Sequence, residues 1–176
     1  MEYRQLKEED INRKLFVGFQ RRQVVTDCWR NVQGRWCIQS DPFIDQWDEA
    51  DYRQMILWLR HTVCSGGVVY AALEQGCLKG FASVEGTFFG CGYLDLSHLH
   101  VSQESRRKGI GRTLFFLCAR WAKEKGAKKL YLSTHSAVET QAFYRALGCV
   151  WAKEPDPRHI EKEPYDCQLE YELDQM

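Results

Sequence analysis

The segment Arg106-Arg107-Lys108-Gly109-Ile110-Gly111 carries more information about the fold than any other part of the chain. It follows a strand pattern over residues 93–101 and leads into an amphipathic helix pattern. The apolar positions of that helix are Leu114, Leu117, Cys118, Trp121 and Ala122. The two glycines therefore lie at a strand-to-helix corner, where they admit a positive φ and let a bulky anion approach the backbone. Free N–H groups and the helix dipole favour an anion there, so the segment predicts a turn that binds pyrophosphate.

A Gly-x-Gly beside basic residues also occurs in ordinary solvated turns, so its context matters. A short apolar strand pattern, Lys129–Ser133, comes next, and a helix pattern over Glu139–Gly148 ends on a glycine suited to a left-handed cap. This order, with Arg-x-x-Gly-x-Gly at 106–111 and Phe-Tyr-x-x-Leu-Gly at 143–148, resembles the GNAT superfamily of acetyl-CoA-dependent N-acetyltransferases. The resemblance is strong over residues 90–151 and loose elsewhere.

The resemblance implies an α/β fold, with a single GNAT domain over residues 1–176. Its central mixed sheet is expected to have six or seven strands, to be flanked by helices, and to be splayed at the acetyl-CoA site. The splay is expected where the strand containing Leu99 parts from the strand Lys129–Ser133. A chain of 176 residues is long enough for one domain with a substantial core, and two independent domains would be cramped.

Apolar periodicity and turn residues predict the other elements. Strands are expected at 2–7, 68–73, 78–85, 93–101, 129–133, 150–153 and 165–173. Helices are expected through Leu15, Phe16 and Phe19, and from a cap at Asp48 through Tyr52, Met55, Ile56, Leu59 and Val63. Residues 21–47 show no clear pattern, and the proline-rich and charged loop 154–164 is expected to be disordered or mobile.

Composition excludes several classes of protein. The formal net charge is zero, which argues against a general affinity for nucleic acid. No apolar run approaches the roughly 20 residues of a membrane span, and the N-terminus lacks the basic and apolar blocks of a secretory signal. We therefore expect a soluble, cytoplasmic protein. Eight scattered cysteines without a Cys-x-x-Cys pair are expected to be reduced thiols, and they indicate neither disulfides nor a metal site.

The charge is unevenly distributed along the chain. Residues 103–129 hold nine Lys or Arg against only Glu104 and Glu124, which suits a polyanionic cofactor. The lysines at the end of this segment are explained by the preference of cations for a helix C-terminus. The basic residues beside the glycines are better placed to meet phosphates; they are Arg106, Arg107, Lys108 and Arg112.

Acetyl transfer from a thioester to an amine needs a held donor, a polarised carbonyl, a deprotonated amine and a proton for the leaving thiolate. The resemblance implies that backbone N–H groups of 107–112 hold the pyrophosphate, and that main-chain groups of Leu99 and Val101 pair with the pantetheine arm. The full set of cofactor-binding residues expected on this basis is Leu99, His100, Val101, Arg106, Arg107, Lys108, Gly109, Ile110, Gly111, Arg112, Phe143 and Tyr144.

Asp95 is the first candidate for the general base, because the histone acetyltransferase branch places its catalytic glutamate at this strand position. An ordinary carboxylate has a pKa of about 4, so burial would have to raise the pKa of Asp95. Because aspartate is shorter than glutamate, a water between Asp95 and the amine is expected. The alternative is that Asp95 caps or pairs at a strand end.

His98 is the second candidate base, since histidine titrates in the useful range. The alternation of the strand predicts that His98 and His100 share one face with Leu94 and Leu96. A structural role is the alternative for both histidines and the preferred interpretation for His100. Glu85, at the end of the preceding strand, is the third candidate.

Tyr144 matches the family tyrosine that protonates the departing thiolate, and its phenol can donate a proton because its usual pKa is about 10. The alternative is that Phe143 and Tyr144 form a core pair on a helix. The chain departs from many relatives at Ala137, seven residues before Tyr144, where they carry asparagine. Ser136 or Glu139 is expected to make the contacts of that asparagine.

The acceptor is the part of the reaction that the sequence constrains least. Specificity is expected to lie in residues 20–60, 86–92 and 154–164. An acidic group opposed only by Arg53, together with three tryptophans, would suit a small cationic amine. The acids are Asp41, Asp45, Asp48, Glu49 and Asp51, and the tryptophans are Trp29, Trp36 and Trp47. The alternative is that the acids favour a helix N-terminus and the tryptophans belong to the core.

These observations predict an N-acetyltransferase that acts on a primary amine of a small molecule or a peptide. A non-catalytic acetyl-CoA-binding sensor or regulatory module is the alternative, which the presence of Tyr144 and Asp95 disfavours. A nucleotide-binding protein is disfavoured because residues 106–111 lack the Gly-Lys-Ser/Thr of a P-loop and the third glycine of the Rossmann motif. The alternating C-terminal strand leaves a homodimer open.

Overall fold

Ten strands and four α-helices follow one another in the computed structural model, which describes residues 1–175. The strands are β1 (Glu2–Gln5), β2 (Arg22–Val32), β3 (Arg35–Gln46), β4 (Val68–Glu74), β5 (Cys77–Val84), β6 (Tyr93–Asp95), β7 (His98–Val101), β8 (Lys129–Thr134), β9 (Val150–Trp151) and β10 (Cys167–Glu172). The helices are α1 (Glu49–Cys64), α2 (Ile110–Glu124), α3 (Val138–Ala146) and α4 (Pro157–Lys162). Short 3-10 helices lie at Glu8–Asp10, Arg13–Phe16, Gln103–Ser105 and Leu173–Gln175.

The central sheet has two halves that share the segment 93–101. One half has the order β1-β4-β5-β7 and is antiparallel, and the other has the order β6-β8-β10-β9 with β6 and β8 parallel. Counted with 93–101 as one strand, the halves form a mixed sheet of seven strands, which confirms the expected GNAT fold class. The sheet splays because β6 pairs with β8, whereas β7 pairs with β5 alone within residues 1–175.

A β-bulge separates β6 from β7. Glu85 N–H donates to Asp95 O at 2.9 Å, whereas Ser83 pairs with His98, so the 95–98 segment holds one residue more than its partner. The bulge reverses the alternation of side chains. Leu94 therefore packs in the same core as Leu99, and His98 and His100 lie on the opposite face. The prediction that the two histidines share a face with Leu94 and Leu96 is wrong for this reason.

A separate core covers each face of the sheet. The first lies under α2 and includes Leu94, Leu114, Phe115, Leu130 and Leu132. The second lies under α1 and includes Phe16, Phe19, Met55, Leu59 and Phe81. Burial of this apolar surface on both faces provides the main driving force for folding.

Most predicted elements are confirmed, including α1, whose cap Asp48 accepts hydrogen bonds from the N–H groups of Ala50 and Asp51. The helix predicted through Leu15–Phe19 is wrong, because 3-10 turns form there and Gly18 leaves the helical region at φ +80°. Residues 154–164, expected to be disordered or mobile, contain α4, which begins at Pro157 with Asp156 as its cap.

A long two-stranded hairpin, β2–β3, occupies the region where the sequence shows no clear pattern. Its outer face leaves apolar residues such as Val24, Ile38 and Ile44 exposed, which obscures the strand alternation. The hairpin reaches the far side of the splay, where Cys28 pairs with Ala137 and Trp29 N–H donates to Ser136 O at 2.8 Å. In the described part of the chain, no helix is both long and apolar enough to span a membrane.

Candidate active site

A cleft of about 590 Å³ opens where β7 and β8 part. Its walls come from β2, β7, the turn before α2, the end of β8 and α3. A crevice at this kind of sheet opening exposes backbone groups and the side chains at strand ends, and is a common position for a ligand site in α/β folds. The cleft is therefore the candidate ligand site.

The turn before α2 has the conformation expected of an anion-binding corner. Arg107 and Gly109 both have positive φ, +60° and +80°, and Gly109 is the N-cap of α2. The first helical hydrogen bond runs from Thr113 N–H to Gly109 O at 3.0 Å, so the N–H groups before Thr113 precede the helical ladder. A Cβ added at Gly109 would meet nothing within 4 Å, which leaves room for a bulky anion above the backbone. The glycine motif indicated the conformation at Gly109 but not that at Arg107.

Gly111 has a different role, which is close packing. A Cβ at Gly111 would lie 3.2 Å from Phe143 Cζ and 3.5 Å from Leu99 Cδ2. Gly80 on β5 similarly lets Ile110 approach, because a Cβ there would lie 2.9 Å from Ile110 Cγ2. The start of α2 is thus held against both the sheet and α3, and Phe143 becomes part of the cleft wall.

The basic residues of the turn separate into different environments. Arg106 is half-buried and its Nε donates to Val101 O at 3.3 Å, which ties the turn to β7. Arg107 and Arg112 are exposed and line the cleft. Lys108 is exposed but does not line the cleft. Arg107 and Arg112 are therefore accessible to an anion in the cleft. The cleft geometry does not support the predicted contact between Lys108 and the cofactor.

β7 forms one edge of its half-sheet and presents that edge to the cleft. Its other edge pairs with β5 from Ser83 to Gly80. An end strand carries a row of unpaired N–H and C=O groups that can pair with an extended ligand. Leu99, His100 and Val101 all line the cleft, and their contact with a cofactor stays a prediction.

Tyr144 lies on α3, lines the cleft and is 7% exposed. Its ring packs near Phe115 and Phe143, at centroid distances of 6.4 and 5.0 Å. Its hydroxyl makes no hydrogen bond to another described residue. Burial raises the pKa of Tyr144, so the phenol stays protonated at neutral pH and can donate a proton.

Of the three candidate bases, the structure brings only His98 into the wall of the cleft. Asp95 Oδ2 lies 3.1 Å from His159 Nε2 on α4, and this hydrogen bond raises the pKa of His159. Glu85 accepts hydrogen bonds from Thr62 and Ser97 and does not line the cleft.

His98 stacks on Trp58 of α1, with ring centroids 5.5 Å apart. Burial lowers the pKa of His98 to about 4, with the positive charge of Lys162 as the smaller cause. The imidazole is therefore neutral near pH 7 and retains a lone pair that can accept a proton.

One further cleft residue, His135, and one acid outside the cleft lining, Asp166, were missed by the sequence interpretation. His135 follows β8, and its Nδ1 accepts a hydrogen bond from Ala137 N–H at 3.0 Å. Asp166, just before β10, is half-buried and accepts a hydrogen bond from Ser133 Oγ at 3.4 Å; burial raises the pKa of Asp166 to about 6, helped by the charge of Glu163. His135 could have been found from sequence, because it directly follows the predicted strand at the splay. No feature of the sequence indicated Asp166.

Ala137 is small because the hairpin packs directly on it. It is fully buried against Val25 and Cys28, so an asparagine side chain would not fit without displacing them. Ser136 Oγ is within 2.5 Å of Arg30 Nη1, a contact outside the cleft lining. Glu139, the other expected substitute, does line the cleft.

None of the acids at 41–51 lines the cleft, and each has a partner on the protein, although Asp48, Glu49 and Asp51 are exposed; the preference for a cationic amine stays a prediction. Three carboxylates are engaged by arginines and the other two cap α1. The arginine pairs are Arg21–Asp45, Arg30–Asp41 and Arg13–Glu49. The tryptophans also have structural partners, since Trp36 stacks on Trp151, Trp29 lies under Arg145, and Trp47 packs in the α1 core.

Residues 33–149 match the family model described as the acetyltransferase (GNAT) family, and the chain therefore belongs to this family. It is an acyltransferase. A search of curated protein sequences finds no match.

Solved structures share the fold over nearly their whole length. A putative streptothricin acetyltransferase from Bacillus anthracis str. Ames, in complex with acetyl coenzyme A, has a TM-score of 0.71 and 16% identity, over 96% of this chain and 95% of that one. A nourseothricin acetyltransferase has a TM-score of 0.65 and 17% identity, with coverage of 96% and 95%. An N-acetyltransferase from Thermoplasma acidophilum, in complex with coenzyme A, has a TM-score of 0.59 and 16% identity, with coverage of 97% and 98%.

Proposed function

We propose that this protein transfers the acetyl group of acetyl-CoA to a primary amine of a small molecule or a peptide. The observation that carries the proposal is the meeting of three features in one cleft. They are the open glycine turn at the start of α2, the unpaired edge of β7, and the hydroxyl of Tyr144. Two structures with the same fold were crystallised with acetyl coenzyme A or coenzyme A, which supports the choice of donor.

The residues of the cleft fit acetyl-CoA. The open space above Gly109 and the N–H groups at the start of α2 suit the pyrophosphate, and Arg107 and Arg112 add positive charge beside it. The main chain of Leu99 and Val101 would pair with the pantetheine arm. When bound, acetyl-CoA supplies an activated thioester carbonyl.

Two side chains handle protons in this proposal. We assign the proton acceptor to His98 by position, because it is neutral and lies in the cleft wall. With a pKa of about 4 it is a weak base in the unliganded protein, so the role requires its pKa to rise when the amine and acetyl-CoA bind. Tyr144 donates its phenolic proton to the leaving thiolate. Asp95 holds His159 through a hydrogen bond outside the cleft lining, so we assign it a structural role, although it was the first candidate from sequence.

The alternative role, a non-catalytic sensor of acetyl-CoA, is not favoured by the cleft. A buried tyrosine hydroxyl usually finds a hydrogen-bond partner. The hydroxyl of Tyr144 has none among the described residues and lines the open cleft, so it is available to a ligand there, as a proton-donating role requires.

The test is thiol release from acetyl-CoA across a panel of primary amines, with Tyr144→Phe compared with the intact protein. We expect turnover on at least one amine and a fall in kcat of about 100-fold in the variant, the usual range for loss of a general acid. Tyr171→Phe is the matched control, because Tyr171 is a buried tyrosine of the same core that does not line the cleft. Coenzyme A binding without turnover on any amine would contradict the enzymatic proposal.

A second comparison separates the two candidate bases. We expect His98→Gln to lower kcat by about 100-fold. We expect Asp95→Asn to lower the melting temperature and to leave kcat close to that of the intact protein. The opposite pattern, with the larger loss of kcat in Asp95→Asn, would return the role of base to Asp95.

A further inference from the structure

The acceptor side of the cleft is closed by β2 and the residue before it. Arg21 Nε donates to His100 Nδ1 at 3.1 Å, and Gln23 Nε2 lies 3.4 Å from Thr140 Oγ1 on α3. Because the bulge turns His100 away from α2, Arg21 also lies on the face opposite α2. Arg106 of the turn before α2 is close enough to interact electrostatically with Arg21 and His100, so this wall adjoins the turn.

Arg21 is 9% exposed and its guanidinium is only partly satisfied. Nε donates to His100, and Nη2 donates to Asp45 at 2.5 Å. Nη1 is buried and has no hydrogen-bond partner among the described residues. A buried donor without a partner costs about 1–3 kcal/mol, so an oxygen supplied by a ligand in the cleft would be stabilised there.

Two histidines add donors to the same cleft. His100 Nδ1 accepts from Arg21, and His135 Nδ1 accepts from Ala137 N–H, so the remaining proton of each neutral imidazole lies on Nε2. Burial lowers the pKa of both His100 and His135, which keeps each ring in this neutral form. Each ring therefore has an N–H donor and no free acceptor.

The charged residues that line the cleft also favour an anionic group on the ligand. Among the described residues that line it, Glu139 on α3 is the single acid, whereas Arg21, Arg106, Arg107 and Arg112 are basic. Asp45 balances one of these charges through its ion pair with Arg21. Apart from Glu139, the cleft presents hydrogen-bond donors and cations, which complement an anionic oxygen better than a second cation.

We propose that the acceptor carries a carboxylate in addition to its amine, and that Arg21, with His100 and His135, binds this carboxylate. The substrate class is thus an amino acid or a similar small amino carboxylate, and Arg21 is a specificity-determining residue. The inference rests on the proposed acetyl transfer and names the acceptor of the same site.

The experiment compares matched acceptors that differ only in the carboxylate: L-lysine with cadaverine, and L-ornithine with putrescine. We expect kcat/KM to favour the carboxylate member by about 10- to 100-fold, the range for a hydrogen bond to a charged group. In Arg21→Gln the preference should fall to about 1, with the KM for acetyl-CoA unchanged. Arg21→Lys keeps the charge and should retain part of the preference if Arg21→Gln proves unstable.

Arg30→Gln is the matched control, since Arg30 forms an equivalent ion pair with Asp41 on the same hairpin but does not line the cleft. It should keep the full preference. Equal or better use of the decarboxylated amines by the intact protein would overturn the inference. So would an Arg21→Gln variant that weakens acetyl-CoA and leaves the preference intact, because the guanidinium would then serve the donor.

Calorimetric titration of the same four amines onto the coenzyme A complex makes the comparison without turnover. Preferential binding of the two amino acids, lost in Arg21→Gln, supports the inference even if the acetyl transfer assay is silent. Equal binding of all four amines overturns it. Failure of thiol release with every amine counts against the proposed function instead, so the two failures are distinguishable.

Discussion

Replacing Gly109 by alanine tests whether the turn before α2 binds the cofactor. Gly109 has φ +80°, and a Cβ there would meet nothing within 4 Å, so the cost of Gly109→Ala is confined to the backbone. A left-handed conformation costs an alanine about 1–2 kcal/mol. For a chain of this size that corresponds to a fall of about 2–8 °C in the melting temperature.

Gly126→Ala provides the matched control. Gly126 has φ +89°, also with nothing within 4 Å, and lies just beyond the other end of α2. The two glycines are roughly 25 Å apart, because an α-helix rises about 1.5 Å per residue. Both variants should therefore lose similar stability, and only Gly109→Ala should affect a ligand at the turn.

The expected effect on binding follows from the N–H groups at the start of α2. An alanine that relaxes away from φ +80° reorients them, and loss of one hydrogen bond to a charged group costs about 1.5–3 kcal/mol. The Kd for coenzyme A, measured by calorimetry, should rise about 10- to 100-fold in Gly109→Ala and stay unchanged in Gly126→Ala. Equal Kd values in two variants of equally reduced melting temperature would refute the assignment of the turn.

Three further predictions concern stability. The pKa of Asp166 is raised from 3.8 to about 6, so its contribution to stability is present below pH 3.8 and lost as the pH rises to about 6. Over this range the melting temperature of Asp166→Asn should rise relative to that of the intact protein. Gly80→Ala should lower the free energy of unfolding by about 1–3 kcal/mol in urea titration, because its Cβ would lie 2.9 Å from Ile110 Cγ2. Trp36→Ala removes the 4.8 Å stack on Trp151 and should speed limited proteolysis of the hairpin at 22–46, whereas an unchanged cleavage rate would show that the hairpin is held elsewhere.

Local sequence predicted the elements whose apolar pattern is strong. The spacing of Leu114, Cys118 and Ala122 predicted α2, and the capping aspartate at 48 predicted the start of α1. The pattern failed in the hairpin at 22–46, where exposed valines and isoleucines interrupt the alternation. It also failed at 15–19, where a 3-10 turn ends and Gly18 has a positive φ.

The sequence alone determined the family and the glycine turn, because both depend on neighbouring residues and their spacing. Only the tertiary structure decided which polar side chains meet. A one-residue bulge after Asp95 turned His98 and His100 to the other face, and α4 covered Asp95 with His159. The pairing of Arg21 with His100 joins residues 79 positions apart. Contacts over such separations depend on how the sheet splays and on what packs across it. Local periodicity in the sequence predicts neither of these.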